Sequence, residues 1–526
     1  MMNLGELAIK TAIRDPGAPA LIEPHLGIRR TFGELSERVE LLAHLLQDHL
    51  GAGHGARIAA FTKNSLECME LYLACALTGT LLFPMNWRQS TSQNSLALQD
   101  ADPSVVFYDA EFAAEAGALR SAVEQAIWIE WKPGADSEFE DLLRRMAATR
   151  GAFAPLPPPS SLLYDPYLAV STGGTTGIPK CAVHSQFSYG ATMINYMAAQ
   201  RIDENDVFMM LGQFFHVTGY MPIAHLGMGR PVVITNFDAD VTVDVIRQEN
   251  VTGFFCIATM LPRLVASLMS SGLRTPSVRL AGYGGAPMGE TVIRNAAELL
   301  KTDLMQIWGM SEFGTGTVLG PAAHNRAIRN EHVELLGSCG RAAVLSTIIV
   351  RDERGRPVPQ DGRTIGELCH YGPNTMLGYW HKEQETSDLV RNGWVHSGDG
   401  ATWDAEGNVY IVDRLKNMII SGGENIFPAE IEKLLANMPG VAEAAVVGAP
   451  DPEWGEIVRA IVVCSPGASI KRDAVISAVE SELGSYRKPR IVDFVDALPM
   501  TPTGKVDLKE LRALPVTDDV VRMPQA

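Results

Sequence analysis

A chain of 526 residues exceeds what one hydrophobic core usually serves, so two or more domains are expected. Its 46% apolar and 20% charged residues are those of an ordinary globular protein, and no apolar run approaches the roughly 18 residues of a membrane span. The formal charge of −17 speaks against nucleic acid as a partner, and seven cysteines without a CxxC pair speak against a disulfide framework or a zinc site. The opening MMNLGELAIK lacks the basic-then-apolar pattern of a secretory signal, so a cytoplasmic enzyme is expected. In chain order, Thr31 and Glu34 have capping-box spacing, and Leu35, Val39, Leu42 and Leu46 continue as one helical face ending near Gly51. Residues 57–61 read as a strand, and 64–77 as a helix closed by Gly79, with Cys68 and Cys75 in the core. Short apolar runs follow at 81–84, 105–108, 168–172, 231–235, 253–257 and 304–308. Helical stretches separate several of them, which predicts largely parallel sheets covered by helices. LPPPSSL, 156–162, is a turn-rich connector. Beyond Arg414, a helix after Pro428, strands at 441–447 and 457–463, a helix at 471–483 and a strand at 491–495 predict a compact α+β domain of about 110 residues. The residues after Pro515 are expected to fray.

The most informative segment follows the strand at 168. Ser171-Thr172-Gly173-Gly174-Thr175-Thr176-Gly177-Ile178-Pro179-Lys180 gathers three glycines, three threonines and a serine. Such a loop turns backbone N–H groups and hydroxyls toward one anion, and Lys180 adds a point charge for a phosphate oxygen. It is not a Walker loop, since Ile178 rather than Lys follows Gly177, and Gly282-Tyr283-Gly284 lacks the spacing of a dinucleotide fingerprint. Composition alone leaves a flexible surface loop as an equal alternative.

The full string closely resembles the phosphate loop of the adenylate-forming enzymes: acyl- and aryl-CoA synthetases, amino-acid adenylation domains and firefly luciferase. The resemblance covers nearly the whole chain, with further motifs in the family's order. It implies an α/β fold. The resemblance further implies a large N-terminal domain, 1–414, with helix-flanked, largely parallel sheets and a small β-barrel-like subdomain, and a smaller mobile α+β lid, 415–526. By the same resemblance, Gln213-Phe214-Phe215-His216-Val217-Thr218-Gly219 and Tyr220 border the acyl group, and Tyr283-Gly284-Gly285-Ala286-Pro287 stacks under adenine. Trp308-Gly309-Met310-Ser311-Glu312 is similar to the family's aromatic-Gly-x-Thr-Glu motif, which implies Trp308 near adenine, Ser311 near the α-phosphate and Glu312 on Mg2+. Gly309, Met310 and Gly314 are implied to join the substrate pocket. Ser397-Gly398-Asp399 and Asp413-Arg414 resemble the ribose contacts, Lys416 the hinge, and Ile420-Ser421-Gly422-Gly423-Glu424-Asn425 a loop lining the pantetheine tunnel. Thr501-Pro502-Thr503-Gly504-Lys505 resembles the catalytic-lysine motif. Trp454, Tyr486 and Lys488 occupy places similar to coenzyme A contacts in aryl-CoA ligases, with Arg487 and Arg490 as alternatives for the nucleotide phosphates. Taken singly, these residues have plainer readings: His216 as packed core, Glu312 as a solvated helix-start acid, Lys505 as a solvated turn lysine.

The resemblance implies ATP, Mg2+ and coenzyme A. In the reaction this implies, the acid's carboxylate attacks the ATP α-phosphate, pyrophosphate leaves, and a thiol then takes the acyl group from the acyl-adenylate. Amino-acid adenylation domains place an Asp at the start of the pocket segment, whereas FFHVTGYMPIAHLG holds no carboxylate. The other expected pocket residues, at 257–260, Gly284, Met310 and 313–315, are apolar or small, so an apolar acid (alkyl, aryl or alicyclic) is expected. Gly173, Cys181, Trp308, Ser311 and Asn417 depart from the commoner family pattern without removing an essential charge or donor. Three rivals stand beside an acyl-CoA ligase: a ligase loading a separate carrier protein, a luciferase-like oxidative reaction and a non-catalytic ligand-binding homologue. Lys180, Glu312, Asp399, Arg414 and Lys505 together speak against the last. A homodimer is left open.

Overall fold

The computed structural model describes residues 3–134, 136–149, 153–158, 162–172, 180–500 and 506–515. The chain divides into two compact units. One comprises Met1–Ile349, Cys369–His396 and Gly407–Val409, and the other Val350–Leu368, Ser397–Glu406 and Tyr410–Ala526.

In the first unit, a seven-stranded sheet runs in the order Gly378–Tyr379, Cys181–Ser185, Pro166–Ser171, Leu81–Pro84, Arg57–Phe61, Val105–Asp109, Ile127–Trp131. A nine-stranded sheet has at its centre the parallel strands Asp303–Trp308, Leu280–Gly284, Gly253–Ile257, Phe208–Met210, Val232–Ile234 and Pro19–Glu23. Antiparallel strands close its edges. The alternation of short apolar strands with helices therefore gives the layered α/β arrangement expected of it.

One hydrophobic cluster joins both sheets through the helices Phe32–His44, Leu66–Thr78, Gln186–Gln200 and Tyr220–Gly227. Leu66–Thr78 is buried at every residue, as a helix covered on all sides must be. Thr31 and Glu34 form the predicted capping box: Thr31 Oγ1 accepts from Glu34 N at 3.2 Å, and Glu34 Oε2 accepts from Thr31 N at 2.7 Å. The helix they start passes into a π-helical turn at Leu45–His49 capped by Leu50, and so ends beside Gly51 as expected. The second helix is capped by Ser65, one residue later than its predicted start. Asn64 is spent elsewhere, donating to Gly212 O at 2.8 Å and accepting from Phe214 N at 3.0 Å.

A separate five-stranded sheet is built from Thr347–Arg351, Gly366–Tyr371, Trp394–Trp403, Val390–Arg391 and Val409–Arg414. In the second unit, Glu424–Ile426, Ile419–Ser421, Gly455–Cys464 and Val441–Asp451 make an antiparallel sheet to which Ile491–Phe494 adds in parallel. Ile431 and Leu435 of the helix Pro428–Ala436 and Val475 and Val479 of the helix Arg472–Leu483 pack on it with Val446, Val458 and Val462. Buried Arg459 binds the Asp493 carboxylate at 2.6 Å and the carbonyls of Leu514 and Pro515 at 2.8 and 3.1 Å. All seven cysteines are free thiols, and among the described residues no helix is long and apolar enough to cross a membrane.

Candidate active site

The strands Pro166–Ser171 and Cys181–Ser185 pair antiparallel, with Ser171 opposite Cys181, and Thr172 N donates to Lys180 O at 2.7 Å. This stem presents both ends of the glycine- and threonine-rich loop. Ser171, Thr172 and Lys180 are on it, while Gly173, Gly174, Thr175, Thr176 and Gly177 lie outside the described residues. The Lys180 ammonium stands 5.2 Å from the centroid of the Tyr379 ring.

Gly284 ends its strand beside Ile307, and a side chain there would meet the Ile307 carbonyl. Gly285, at φ +85, opens the exposed Gly285-Ala286-Pro287 strip. Tyr283 is fully buried, its hydroxyl 2.8 Å from His324 Nε2. Trp308 closes the next strand and is followed by a turn in which Gly314 N donates to Met310 O at 2.7 Å. Gly309 is obligatory, because any side chain would run into the Gly314 carbonyl. His184 Nε2 lies 2.7 Å from Ser311 O, and burial pushes the His184 pKa down to about 4. A neutral imidazole thus donates to the carbonyl just before Glu312. Glu312 is only 5% exposed. Its main-chain carbonyl accepts from Met376 N at 2.8 Å, and its Oε1 accepts from the Tyr379 hydroxyl at 2.5 Å.

Three buried tyrosines shape the His216 segment. Tyr72 donates to Phe214 O at 2.5 Å, Tyr189 donates to Val217 O at 3.1 Å, and the Tyr220 hydroxyl is 2.9 Å from Thr315 Oγ1. A Cβ at Gly219 would lie 2.9 Å from the Tyr189 hydroxyl, so any side chain there would push on that buried ring. His216 itself is half-buried, its ring 4.5 Å from that of Phe215.

In the second unit, Arg414 Nε lies 2.9 Å from Asp399 Oδ1, and Arg414 Nη1 donates to Ser397 O at 2.9 Å. Lys416 is exposed in the 3-10 turn Leu415–Asn417. Gly422 and Gly423, at φ +59 and +87, make the tight turn between Ile419–Ser421 and Glu424–Ile426. Both require the left-handed region, where glycine is strain-free. Gly422 N donates to Trp454 O at 2.9 Å, and the Trp454 ring carries the Arg490 guanidinium at 4.3 Å. Lys488 is engaged by Glu480 at 2.7 Å, and Arg487 lies 3.5 Å from Glu430 and 5.0 Å from the Tyr486 ring. Lys505 lies outside the described residues.

The pattern of the AMP-binding enzyme family matches residues 9–380, and that of the AMP-binding enzyme C-terminal domain matches 430–505. The chain is an AMP-binding enzyme. It is 32% identical to a feruloyl-CoA synthase from Amycolatopsis sp over 97% of this chain and 98% of that one. It is 31% identical to the fatty acid–[acyl-carrier-protein] ligase ScoC from Streptomyces coeruleorubidus, over 95% and 94%. Among solved structures, ATP-bound MatB from Rhodopseudomonas palustris is similar with a TM-score of 0.84 and 27% identity, over 98% of this chain and 99% of that one. The α/β architecture expected from the motifs is thus that of the AMP-binding enzymes.

In this AMP-binding enzyme Tyr379 and Arg88, like His184, escaped the motif reading. Tyr379, in the run Gly378-Tyr379-Trp380, reaches Glu312 only through the pairing of Gly378–Tyr379 with the strand after the loop. Arg88 lies over the rings of Trp87 and Phe215, 4.8 and 5.9 Å from their centroids, beside the His216 segment. An isolated tyrosine or arginine carries no spacing signal, and only the sheet topology reveals either neighbourhood.

Proposed function

We propose that this AMP-binding enzyme is an acid–thiol ligase: it activates an apolar carboxylic acid as acyl-AMP with ATP and passes the acyl group to coenzyme A. The observation that carries this reading is the convergence of Lys180 and Glu312, distant in sequence, on one tyrosine at the mouth of the loop stem. Two anions must meet when a carboxylate attacks an α-phosphate, so the barrier is electrostatic and positional. Lys180 and Lys505 supply positive charge. Glu312, a nearly buried carboxylate whose Oε1 is held by a neutral phenol, suits a hard divalent cation, and Mg2+ bound there would neutralise phosphate charge. Asp399 and Arg414 hold the ribose, and Gly284, Gly285, Ala286, Pro287 and Trp308 receive adenine.

For the second step, residues 415–526 act as a domain that turns about Lys416, withdrawing Lys505 and bringing the Gly422-Gly423 turn to the pantetheine chain. Trp454 then lies beside coenzyme A. The aliphatic and aromatic lining around His216, Val217, Gly219, Tyr220 and Met310 supports an apolar acyl group, and the likeness to a feruloyl-CoA synthase supports an aromatic one. The reading includes a cytoplasmic location, where ATP and coenzyme A are both at hand. One observation favours a second acceptor: the likeness to ScoC is nearly as strong, and that enzyme's name gives a carrier protein.

AMP release is the test, measured with a panel of aryl and alkyl acids, with coenzyme A, with a carrier protein and with neither. AMP formation dependent on an apolar acid and accelerated by coenzyme A is expected. Acceleration by carrier protein alone would replace the acceptor, and no AMP with any acid would overturn the reaction.

A further inference from the structure

Tyr379 is tied into the site from three directions. Its strand pairs with the one that follows the phosphate loop, Gly378 opposite Val183 and Tyr379 opposite Ala182. Its N–H donates to Thr386 Oγ1 at 2.8 Å, and Thr386 Oγ1 donates in turn to Lys382 O at 2.8 Å. Just before it, Met376 N and Leu377 N donate to Glu312 O and Val183 O, at 2.8 and 2.7 Å. The short segment 376–379 therefore stitches the main chain of Glu312 to the strand beginning at Cys181.

We infer that Tyr379 is a positioning residue for adenylation: its hydroxyl, on Glu312 Oε1 at 2.5 Å, fixes the carboxylate's rotation, and its ring face seats the Lys180 ammonium. A carboxylate on a flexible side chain can turn about its last bond, so a donor on one oxygen determines where the other is aimed. The ring's second contact is a cation–π approach, which holds the lysine without neutralising it as a carboxylate would. One side chain thus sets both the metal-facing carboxylate and the loop lysine in register. The inference rests on the reading of Glu312 as the Mg2+ ligand.

The experiment is a titration of Mn2+ against the enzyme–ATP complex, without acid, followed by electron paramagnetic resonance. Losing such a supporting partner typically weakens metal binding about 10- to 100-fold, and that is expected for Tyr379→Phe. Its Mg2+ requirement in ATP–pyrophosphate exchange should rise in parallel, with the rate recovered at high Mg2+, and its melting temperature should stay near wild type. Tyr379→Leu, which also removes the ring, should further weaken ATP binding without metal. If Tyr379→Phe binds Mn2+ like wild type while Glu312→Gln does not, the role of Tyr379 is wrong. If Glu312→Gln is also unchanged, the assignment of Glu312 is wrong and the inference falls with it.

Discussion

Arg414 Nε sits 2.9 Å from Asp399 Oδ1 while the same guanidinium donates to the Ser397 carbonyl, so the carboxylate and its own strand are held by one side chain. Asp399 is only 5% exposed. If this pair holds the ribose, Asp399→Ala removes charge-assisted hydrogen bonds worth about 1.5–3 kcal/mol. The KM for ATP should then rise on the order of 10- to 100-fold in ATP–pyrophosphate exchange. An unchanged KM would remove the pair from the nucleotide site.

Lys505→Ala should reduce ATP–pyrophosphate exchange about 100- to 1000-fold, the usual cost of one preorganised donor. Thioester formation from supplied acyl-adenylate should be nearly unaffected. Exchange at wild-type rate would refute the role of Lys505.

The Gly422-Gly423 turn predicts the opposite split. A Cβ on Gly423 would meet no neighbour, but its φ of +87 strains any other residue by roughly 1–2 kcal/mol. Gly423→Val should slow thioester formation more than adenylation, read from the two half-reactions separately. Equal loss of both would indicate misfolding.

A buried acid cluster should make stability depend on pH. Burial, and then the nearby Glu67, pushes the Glu23 pKa up from 4.5 to about 8, and Asp109 adds to the effect while Arg30 opposes it. His25 Nε2 lies 3.3 Å from Glu23 Oε1, and Glu67 is itself pushed up to about 7. Because the folded pKa lies above the unfolded one, this stability is fully present below about 4.5 and is lost as pH rises through about 8. Glu23→Gln removes the titrating group. Its melting temperature, relative to wild type, should therefore climb between pH 5 and pH 9, and a pH-independent difference would contradict the assignment.

Much of the fold was legible because turn residues bound its strands: the runs at 57–61, 81–84 and 253–257 match their strands residue for residue. The run at 441–447 stopped short, since Gly448 and Pro450 look like terminators, yet the strand continues to Asp451 against Gly455–Cys464. Asn64 looked like a helix start because its chemistry suits a cap, but Ser65 takes that place and Asn64 braces the His216 segment. In the candidate site, the motifs located Glu312 and Lys180 but not what holds them. Tyr379 and His184 act through tertiary contacts that no local pattern encodes.

The stem beneath the phosphate loop makes the loop's length as consequential as its composition. Ser171 faces Cys181, and Ala182 faces Tyr379, in a fixed pairing. Side chains on a strand alternate between faces, so a slip of one residue reverses all of them. One residue added to or deleted from 173–179 that was absorbed by such a slip would turn the Lys180 ammonium away from the ring it now rests on. Substitutions within the loop can keep that pairing, but a change in its length puts it at risk.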